Sequence, residues 1–347
     1  MFPFLGSPVK IYSNPETVKI NVRNKATKET NEIKLLDYIS KKLETPDGGQ
    51  IAVDWTPPIS QKPFDNTPTI VVCLLEVLIT PPHNYRAVVI NFRGCAESQI
   101  TSPRLYSAGV TDDLRTCLRY VQKCIPDSPL IAVGFSMGAN VLYLGEEGEN
   151  TPLIAAVSVG NPFDLVGGSR ALERTYLGKY AYSPTMATNL KKCLKRHEHI
   201  MKQDKKINIS YGISSRSIRE FDSRITSKCF GYETVDHYYR DASSYFYVTK
   251  VRVPLLCLNA EDDPIVSAEC LPFDESIYNP YCILATTYCG GHLGWFTGFR
   301  SPTRWCIKPL SEFCIAIFEA NDSNFGSKAI LETGEDTSSS EESTAVD

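Results

Sequence analysis

The sequence predicts an α/β fold: a mostly parallel sheet flanked by helices, with a helical cap inserted over the sheet's carboxyl edge. Three observations predict it. Short apolar runs alternate with segments of helical period along the 347 residues, the pattern of a parallel sheet joined by crossovers. One run, Leu130–Val133, passes directly into Gly134-Phe-Ser-Met-Gly138 and a helical stretch, giving strand, sharp turn and helix in succession. Residues 164–245 then break the alternation with a helical segment rich in Lys, Arg, Tyr and Ser.

The elements follow in order. Residues 1–33 are polar and mixed, with no clear period, and read as an N-terminal extension. Asp47-Gly48-Gly49 is a hairpin turn leading into a strand over Gln50–Trp55. Thr69–Leu75 and Ala87–Phe92 are short apolar runs, expected to be neighbouring parallel strands. Asp112–Cys124 places Leu114, Cys117, Leu118 and Val121 at helical spacing, with Thr111 or Asp112 as N-cap. After the Leu130 strand a helix is expected from Ala139 to Leu144, then a strand over Leu153–Val159. Within the cap, Ser183–His199 is helical. Strands over Val253–Asn259 and Tyr281–Thr286 and a helix over Leu310–Glu319 complete the core. From Gly326 the chain is acidic and of low complexity, the composition of a disordered tail. The organisation is therefore extension 1–33, core 34–163, cap 164–245, core 246–325 and tail 326–347.

Composition narrows the function classes. Apolar residues at 42% suffice for a large core, and a net charge of −4 gives no support for nucleic-acid binding. The twelve cysteines are scattered, with no C-x-x-C pair, and several lie in apolar runs, as expected of buried reduced thiols in an intracellular protein. The longest apolar candidate, Thr69–Ile79, is too short to span a membrane and contains Glu76. The opening Met-Phe-Pro-Phe-Leu-Gly-Ser lacks the basic region of a secretory signal.

The turn at Gly134–Gly138 nominates Ser136 as a nucleophile, held on a strained strand-to-helix turn with its hydroxyl clear of the sheet. Such a serine needs a base, and the base an orienting acid. Of five histidines, His292 follows a strand-like run and sits among glycines in Gly290-Gly-His-Leu-Gly294. Upstream, the Val253 run ends in Glu261-Asp262-Asp263-Pro264. Asp262 and Asp263 both fit as the acid; Asp262 reads more readily as an N-cap or turn residue, and the position of Asp263 directly before Pro264 resembles the usual placement of the acid in such a loop. Ser136, Asp263 and His292 thus stand in the order nucleophile, acid, base, each after a strand. This chemistry requires no metal, nucleotide or other cofactor.

Other motifs read as structural. His197-Glu198-His199 puts its histidines on different helix faces, which disfavours a metal site. His237 and Asp241 have the spacing of a pair on one helix face, read as a contact within the cap. His199 and Asp204 match an acyltransferase string in a charged segment, a chance match. Arg93 is expected to pair with Asp112 or Asp113; Trp295 and Phe296 either line an acyl pocket or pack the last helix.

Taken together, Asn91-Phe-Arg-Gly-Cys-Ala96, Gly134-Phe-Ser-Met-Gly-Ala-Asn140, Asn161-Pro-Phe-Asp164, Tyr238-Tyr-Arg-Asp-Ala-Ser243, Leu258-Asn-Ala-Glu-Asp-Asp-Pro264 and Gly290-Gly-His-Leu-Gly-Trp295 resemble the YheT-like branch of the α/β-hydrolase superfamily. Fungal members of that branch include medium-chain fatty-acid ethyl ester synthase/esterases and monoacylglycerol lipases. The resemblance runs from about Lys34 to Asn321. It implies the α/β-hydrolase fold and a serine esterase, or an acyltransferase to alcohols, acting on medium-chain fatty acyl esters or acylglycerols. It also implies a cytoplasmic protein in peripheral contact with membranes or lipid droplets.

One departure bears on activity. In the family, the strand at Thr69 leads into a His-Gly-rich loop and a helix; here only Glu76–Arg86, interrupted by Pro81 and Pro82, reaches the next strand. The resemblance places one oxyanion N–H on Met137 and the other in that loop. Loss of one such donor costs ~10²–10³ in rate. Loss of the helix is expected to uncover one sheet face. The alternative reading is therefore a non-catalytic relative, or an incomplete gene product lacking the oxyanion loop. His83, in the short connection, reads as a solvated loop residue.

Overall fold

The structure, a computed structural model, describes residues 9–14, 39–56, 67–73, 85–95, 98–300 and 302–334. Nine strands in these residues form one sheet: β1 Val9–Ser13, β2 Ile39–Glu44, β3 Gln50–Thr56, β4 Thr69–Cys73, β5 Arg86–Asn91, β6 Leu130–Phe135, β7 Leu153–Val159, β8 Leu255–Ala260 and β9 Cys282–Thr287. Their spatial order is β1-β9-β8-β7-β6-β4-β5-β3-β2. β4 through β9 are mutually parallel, while β1, β2 and β3 run antiparallel to their neighbours. The helices are α1 Asp112–Cys124, α2 Leu142–Glu147, α3 Leu165–Arg174, α4 Ser183–Arg196, α5 Glu198–Met201, α6 Ile209–Ile213, α7 Ile218–Phe221, α8 Ser227–Cys229, α9 Val235–Ala242, α10 Phe273–Tyr278 and α11 Ile307–Gly334. The family's expected fold is the one observed.

The central strands are nearly all apolar because both faces are covered, which removes the need for polar alternation. Along β4 and β6, alternate side chains serve opposite cores. Val71, Cys73, Leu130 and Ala132 pack with Cys117, Leu118 and Val121 of α1. Ile70, Val72, Ile131, Val133 and Phe135 pack with Leu310, Phe313, Cys314, Ile317 and Phe318 of α11. Burying one such side chain stabilises the fold by about 1.5–3 kcal/mol. β4 is buried along its whole length, and Tyr85 stacks on Phe318 at 5.0 Å. The uncovered face expected beside β4 is thus not observed, because α11 carries it.

Three expectations are corrected. β1 lies within residues 1–33, where no element was expected. Its Val9 and Ile11 are exposed, so no buried stripe marks it; the ladder to β9 and a Lys10–Glu261 ion pair at 2.8 Å hold it. The helix after the Ser136 turn does not begin at Ala139: residues 136–139 form a 3₁₀ turn, and α2 starts at Leu142. Asn140 causes the break, because its Oδ1 accepts the Leu142 amide at 3.1 Å in place of a helical carbonyl. Finally, α11 continues through Gly326 to Gly334, beyond the expected start of the tail; residues 335–347 lie outside the described residues.

Thr111 precedes α1 as expected, but its hydroxyl donates to Glu146 instead of capping the helix. The expected pairing of β4 with β5 is present, Thr69 opposite Arg86 and Cys73 opposite Ile90. The connection between them, with His83 in it, falls at residues 74–84, outside the described residues. Between β7 and β8 the chain runs through α3 to α9, whose Leu194, Met201, Phe221 and Ile225 share a buried cluster with Ile100 and Leu105 from the segment after β5.

Candidate active site

β6 delivers Ser136 to the carboxyl edge of the sheet. Phe135 is still extended, and Ser136 turns to φ 50°, a left-handed conformation costly for a residue with a Cβ. The crossing behind it is tight: a Cβ on Gly134 would lie 2.2 Å from the Gly138 carbonyl oxygen. Side chains lock the turn from both flanks. Ser158 Oγ donates to the Ala139 carbonyl at 2.8 Å. Asn140 Nδ2 donates to the carbonyls of Ala108 at 3.1 Å and Ala242 at 2.9 Å, tying the turn to the end of α9.

The loop after β9 presents His292. Gly291 adopts φ 56°, and the loop closes through the amides of Gly294 and Trp295, each 3.0 Å from the Gly290 carbonyl. Trp295 is buried against the α11 core and donates from Nε1 to Thr287 Oγ1 at 2.8 Å. It therefore packs the last helix. A Cβ on Gly290 would fall 2.3 Å from that indole nitrogen, so a larger residue would displace the loop. The non-glycine residues with positive φ among those described are Ser136, Leu293 and Trp295, all in these two segments. Such strain persists only where surrounding structure over-determines it.

The structure brings Ser136, His292 and Asp263 together. Ser136 Oγ lies 2.8 Å from His292 Nε2. His292 Nδ1 lies 2.8 Å from Asp263 Oδ2, and the Asp263 side chain is wholly buried. A carboxylate can only accept, so Nδ1 carries the proton and Nε2 is left to accept from the serine hydroxyl. The other Asp263 oxygen accepts the amides of Ile265 at 2.8 Å and Val266 at 3.0 Å, which fixes the carboxylate plane. Asp262 does not touch the imidazole; its Oδ1 accepts the Gly291 amide at 2.8 Å. A chain of hydroxyl, imidazole and buried carboxylate can generate a nucleophilic alkoxide equivalent.

Met137 follows Ser136 in the 3₁₀ turn, and its side chain packs against a buried cluster that includes Tyr238, Tyr239 and Ala242 of the helical insertion. The loop assigned the second oxyanion donor is outside the described residues. Cys73, at the end of β4 beside the turn, has its thiol pushed up to about 12 by burial and is no competing nucleophile.

The remaining motifs resolve as structural contacts. Arg93 donates to Asp113 at 2.6–3.1 Å and to Asp47 at 2.5 and 2.8 Å, both carboxylates acting on one buried guanidinium. That cation holds the Asp47 carboxyl well below the usual range. Asp113, not Asp112, is the partner, and Asp47 is an addition the spacing did not suggest. His237 and Asp241 both meet Tyr232 rather than each other. His197 is buried and His199 exposed. No group of three or more His, Cys, Asp or Glu among the described residues is placed to hold a metal ion. Sequence reasoning missed the placing roles of Asn140 and Gly160. A Cβ on Gly160, at φ 62°, would approach Leu293 to 2.8 Å and His292 to 3.7 Å. Asn140 stands within a motif already singled out; Gly160 left no signal beyond being a glycine after a strand.

The family model described as the alpha/beta hydrolase fold matches residues 71–279. A monoacylglycerol lipase of Saccharomyces cerevisiae is 38% identical over 259 residues, covering 73% of this chain and 57% of that protein. The medium-chain fatty acid ethyl ester synthase/esterase 2 of the same yeast is 33% identical over 250 residues, covering 66% and 55%. The putative esterase YheT of Escherichia coli is 30% identical over 304 residues, covering 83% and 88%. The chain thus spans about half the length of the two yeast relatives and most of the bacterial one.

Proposed function

The chain belongs to the alpha/beta hydrolase fold family, and from that premise we propose a serine hydrolase of carboxylic esters, with medium-chain fatty acyl esters or acylglycerols as substrates. The observation that carries this reading is the hydrogen-bonded chain Ser136–His292–Asp263, 2.8 Å at each step, on a strained turn. Ser136 Oγ attacks the ester carbonyl carbon while its proton passes to His292 Nε2. Asp263 keeps Nδ1 protonated and stabilises the imidazolium. The Met137 amide supplies one oxyanion donor. Collapse of the tetrahedral adduct breaks the C–O bond, and His292 gives its proton to the departing alcohol. The acyl group then passes to water, giving an acid, or to a second alcohol, giving a new ester. The helical insertion packs beside Met137, and exclusion of water there would favour the alcohol.

The names of the relatives support the lipid-ester class; the acyl chain length rests on the ethyl ester synthase/esterase alone. No helix among the described residues is long and apolar enough to cross a membrane. Twelve free thiols suit a reducing compartment, so we place the protein in the cytoplasm, in contact with lipid surfaces. A second reading, a non-catalytic relative, draws on the short span from Cys73 to Arg86.

A fluorophosphonate probe on the purified 347-residue chain decides between them. Labelling is expected for the wild type and absent in Ser136→Ala. A folded wild-type protein that resists labelling sinks the catalytic reading. Product analysis of a labelling-competent protein with an acyl ester and ethanol then separates hydrolysis from alcohol transfer.

A further inference from the structure

We propose that the helical insertion between β7 and β8 is an electrostatic docking surface for anionic lipid bilayers, with Tyr176, Leu177 and Tyr180 as its apolar anchor. The inference extends the lipid-ester reading above and rests on it. Its first observation is a separation of charge. The chain has 36 Lys and Arg against 40 Asp and Glu. Residues 164–245 hold 15 of those cations and 9 of the acids, a net of +6, which leaves −10 for the remainder. Burial sharpens the contrast. In this segment 11 cations are exposed, but of the acids only Glu233 and Asp241 are. Asp222 is buried, and Glu198, Glu220 and Asp236 are held by Lys202, Arg224 and Arg219.

The second observation is the corner that follows α3. Tyr176, Leu177 and Tyr180 are 78%, 57% and 63% exposed. The two tyrosine rings lie 5.0 Å apart, and Lys179 Nζ sits 5.3 Å from the Tyr180 centroid. The backbone beneath is firmly held. Gly178 is buried against the Leu172 carbonyl, where a Cβ would fall 1.9 Å away, and its amide donates to Thr175 Oγ1 at 3.0 Å. The corner is therefore a fixed projection of aromatic and aliphatic side chains beside the exposed Arg174 and Lys179. Tyrosine rings suit the headgroup level of a bilayer, and lysine reaches past apolar neighbours to the phosphates. Anionic lipid attracts the insertion and repels the acidic remainder, so the charge separation also sets the orientation. Leu165 and Val166, in the first turn of α3, pack in one cluster with Met137. The ten residues of α3 span about 15 Å, so docking at its far end brings the Ser136 turn within a helix length of the lipid.

The test is sedimentation of the full chain with large unilamellar vesicles, of phosphatidylcholine alone or with roughly a third phosphatidylserine. Binding is expected only with phosphatidylserine, and to weaken as salt rises from ~0.1 to ~0.5 M. Changing Tyr176, Leu177 and Tyr180 together to Ser is expected to lower it about tenfold or more. Tyr278→Ser, at an equally exposed site on α10, is expected to leave it unchanged. Near-ultraviolet circular dichroism checks that the variants are folded. Equal binding by the triple variant, or by neutral vesicles, overturns the proposal. So does retention on heparin or RNA without vesicle binding, which assigns the basic face to another polyanion. Failure on vesicles with intact fluorophosphonate labelling removes the docking surface alone. Vesicle binding without labelling removes the hydrolase reading alone.

Discussion

Asp262 Oδ1 holds the amide of Gly291 at 2.8 Å, one residue before His292. Its neighbour Asp263 meets His292 itself, so two consecutive carboxylates grip the same loop at consecutive positions. One orients the imidazole through its Nδ1 proton; the other pins the backbone that carries it.

On the proposed hydrolase reading Asp262 is a positioning residue, whose loss should slow chemistry without weakening substrate binding. Asp262→Ala is expected to lower kcat about tenfold on a soluble ester at constant KM, since small misplacements of reacting groups are costly. Asp262→Asn keeps an acceptor for Gly291 and should restore most of the rate. Asp263→Asn should cost far more, about 10⁴, by favouring the wrong tautomer of His292. Equal rates for Asp262→Ala and wild type would remove the positioning role.

Close backbone approach makes a second, purely structural prediction. A Cβ at Gly134 would stand 2.2 Å from the Gly138 carbonyl and 2.6 Å from Ala139 Cα, both backbone atoms with no room to yield. Gly134→Ala is expected to destabilise by about 3 kcal/mol and lower the melting temperature by roughly 4 °C. Gly168, within α3, has nothing within 4 Å of a built Cβ. Gly168→Ala should instead stabilise by about 0.5–1 kcal/mol, the helix-propensity gain. Calorimetry of the two variants reads both signs.

These contacts show what a sequence carries and what it does not. The central strands were legible because burial on both faces leaves an apolar signature, as in Leu130–Val133. Ser136 was legible because its turn demands glycine locally. The choice between Asp262 and Asp263 was weaker evidence, because adjacent residues share every spacing argument; what separates them is the turn in which Asp263 accepts Ile265 and Val266. β1 left no trace, since Ile11 is 67% exposed and the strand rests on backbone pairing. The insertion was recognised by its composition, its break in the alternation and the helix from Ser183. Its packing depends on distant pairs, such as Tyr239 with Asp222, that no period announces.

Arg93 tests how a buried cation is held. It is 5% exposed, as is Asp113 to 3%, whereas Asp47 stays 24% exposed. Arg93→Met is expected to cost about 3–5 kcal/mol, mainly because Asp113 is left charged and buried. Adding Asp113→Asn to that variant should recover part of the loss, a coupling that a double-mutant cycle measures directly. Strict additivity of the two changes would show that the pair does not act as one unit.

Asp222 makes the insertion sensitive to pH. It is buried, with Tyr239 Oη donating to Oδ2 at 2.7 Å and Thr226 Oγ1 to Oδ1 at 2.6 Å. Burial pushes its carboxyl from the ordinary 3.8 up to about 6, while those two hydrogen bonds pull only partly the other way. Between these two values the folded chain keeps a proton that the unfolded chain releases. Stability therefore falls as pH rises through that window, by up to about 3 kcal/mol once both states are ionised. Asp222→Asn is nearly isosteric and carries no charge at any pH. The stability of the variant relative to wild type should shift in the variant's favour by about 2–3 kcal/mol from pH ~4 to ~7, whatever its offset at pH ~4. Denaturant melts of both proteins across this range give the difference, and parallel curves would remove Asp222 as its source. The wild-type curve alone is not decisive, because Asp47 acts in the opposite sense: its lowered pKa lends stability that is lost as the solution becomes acid.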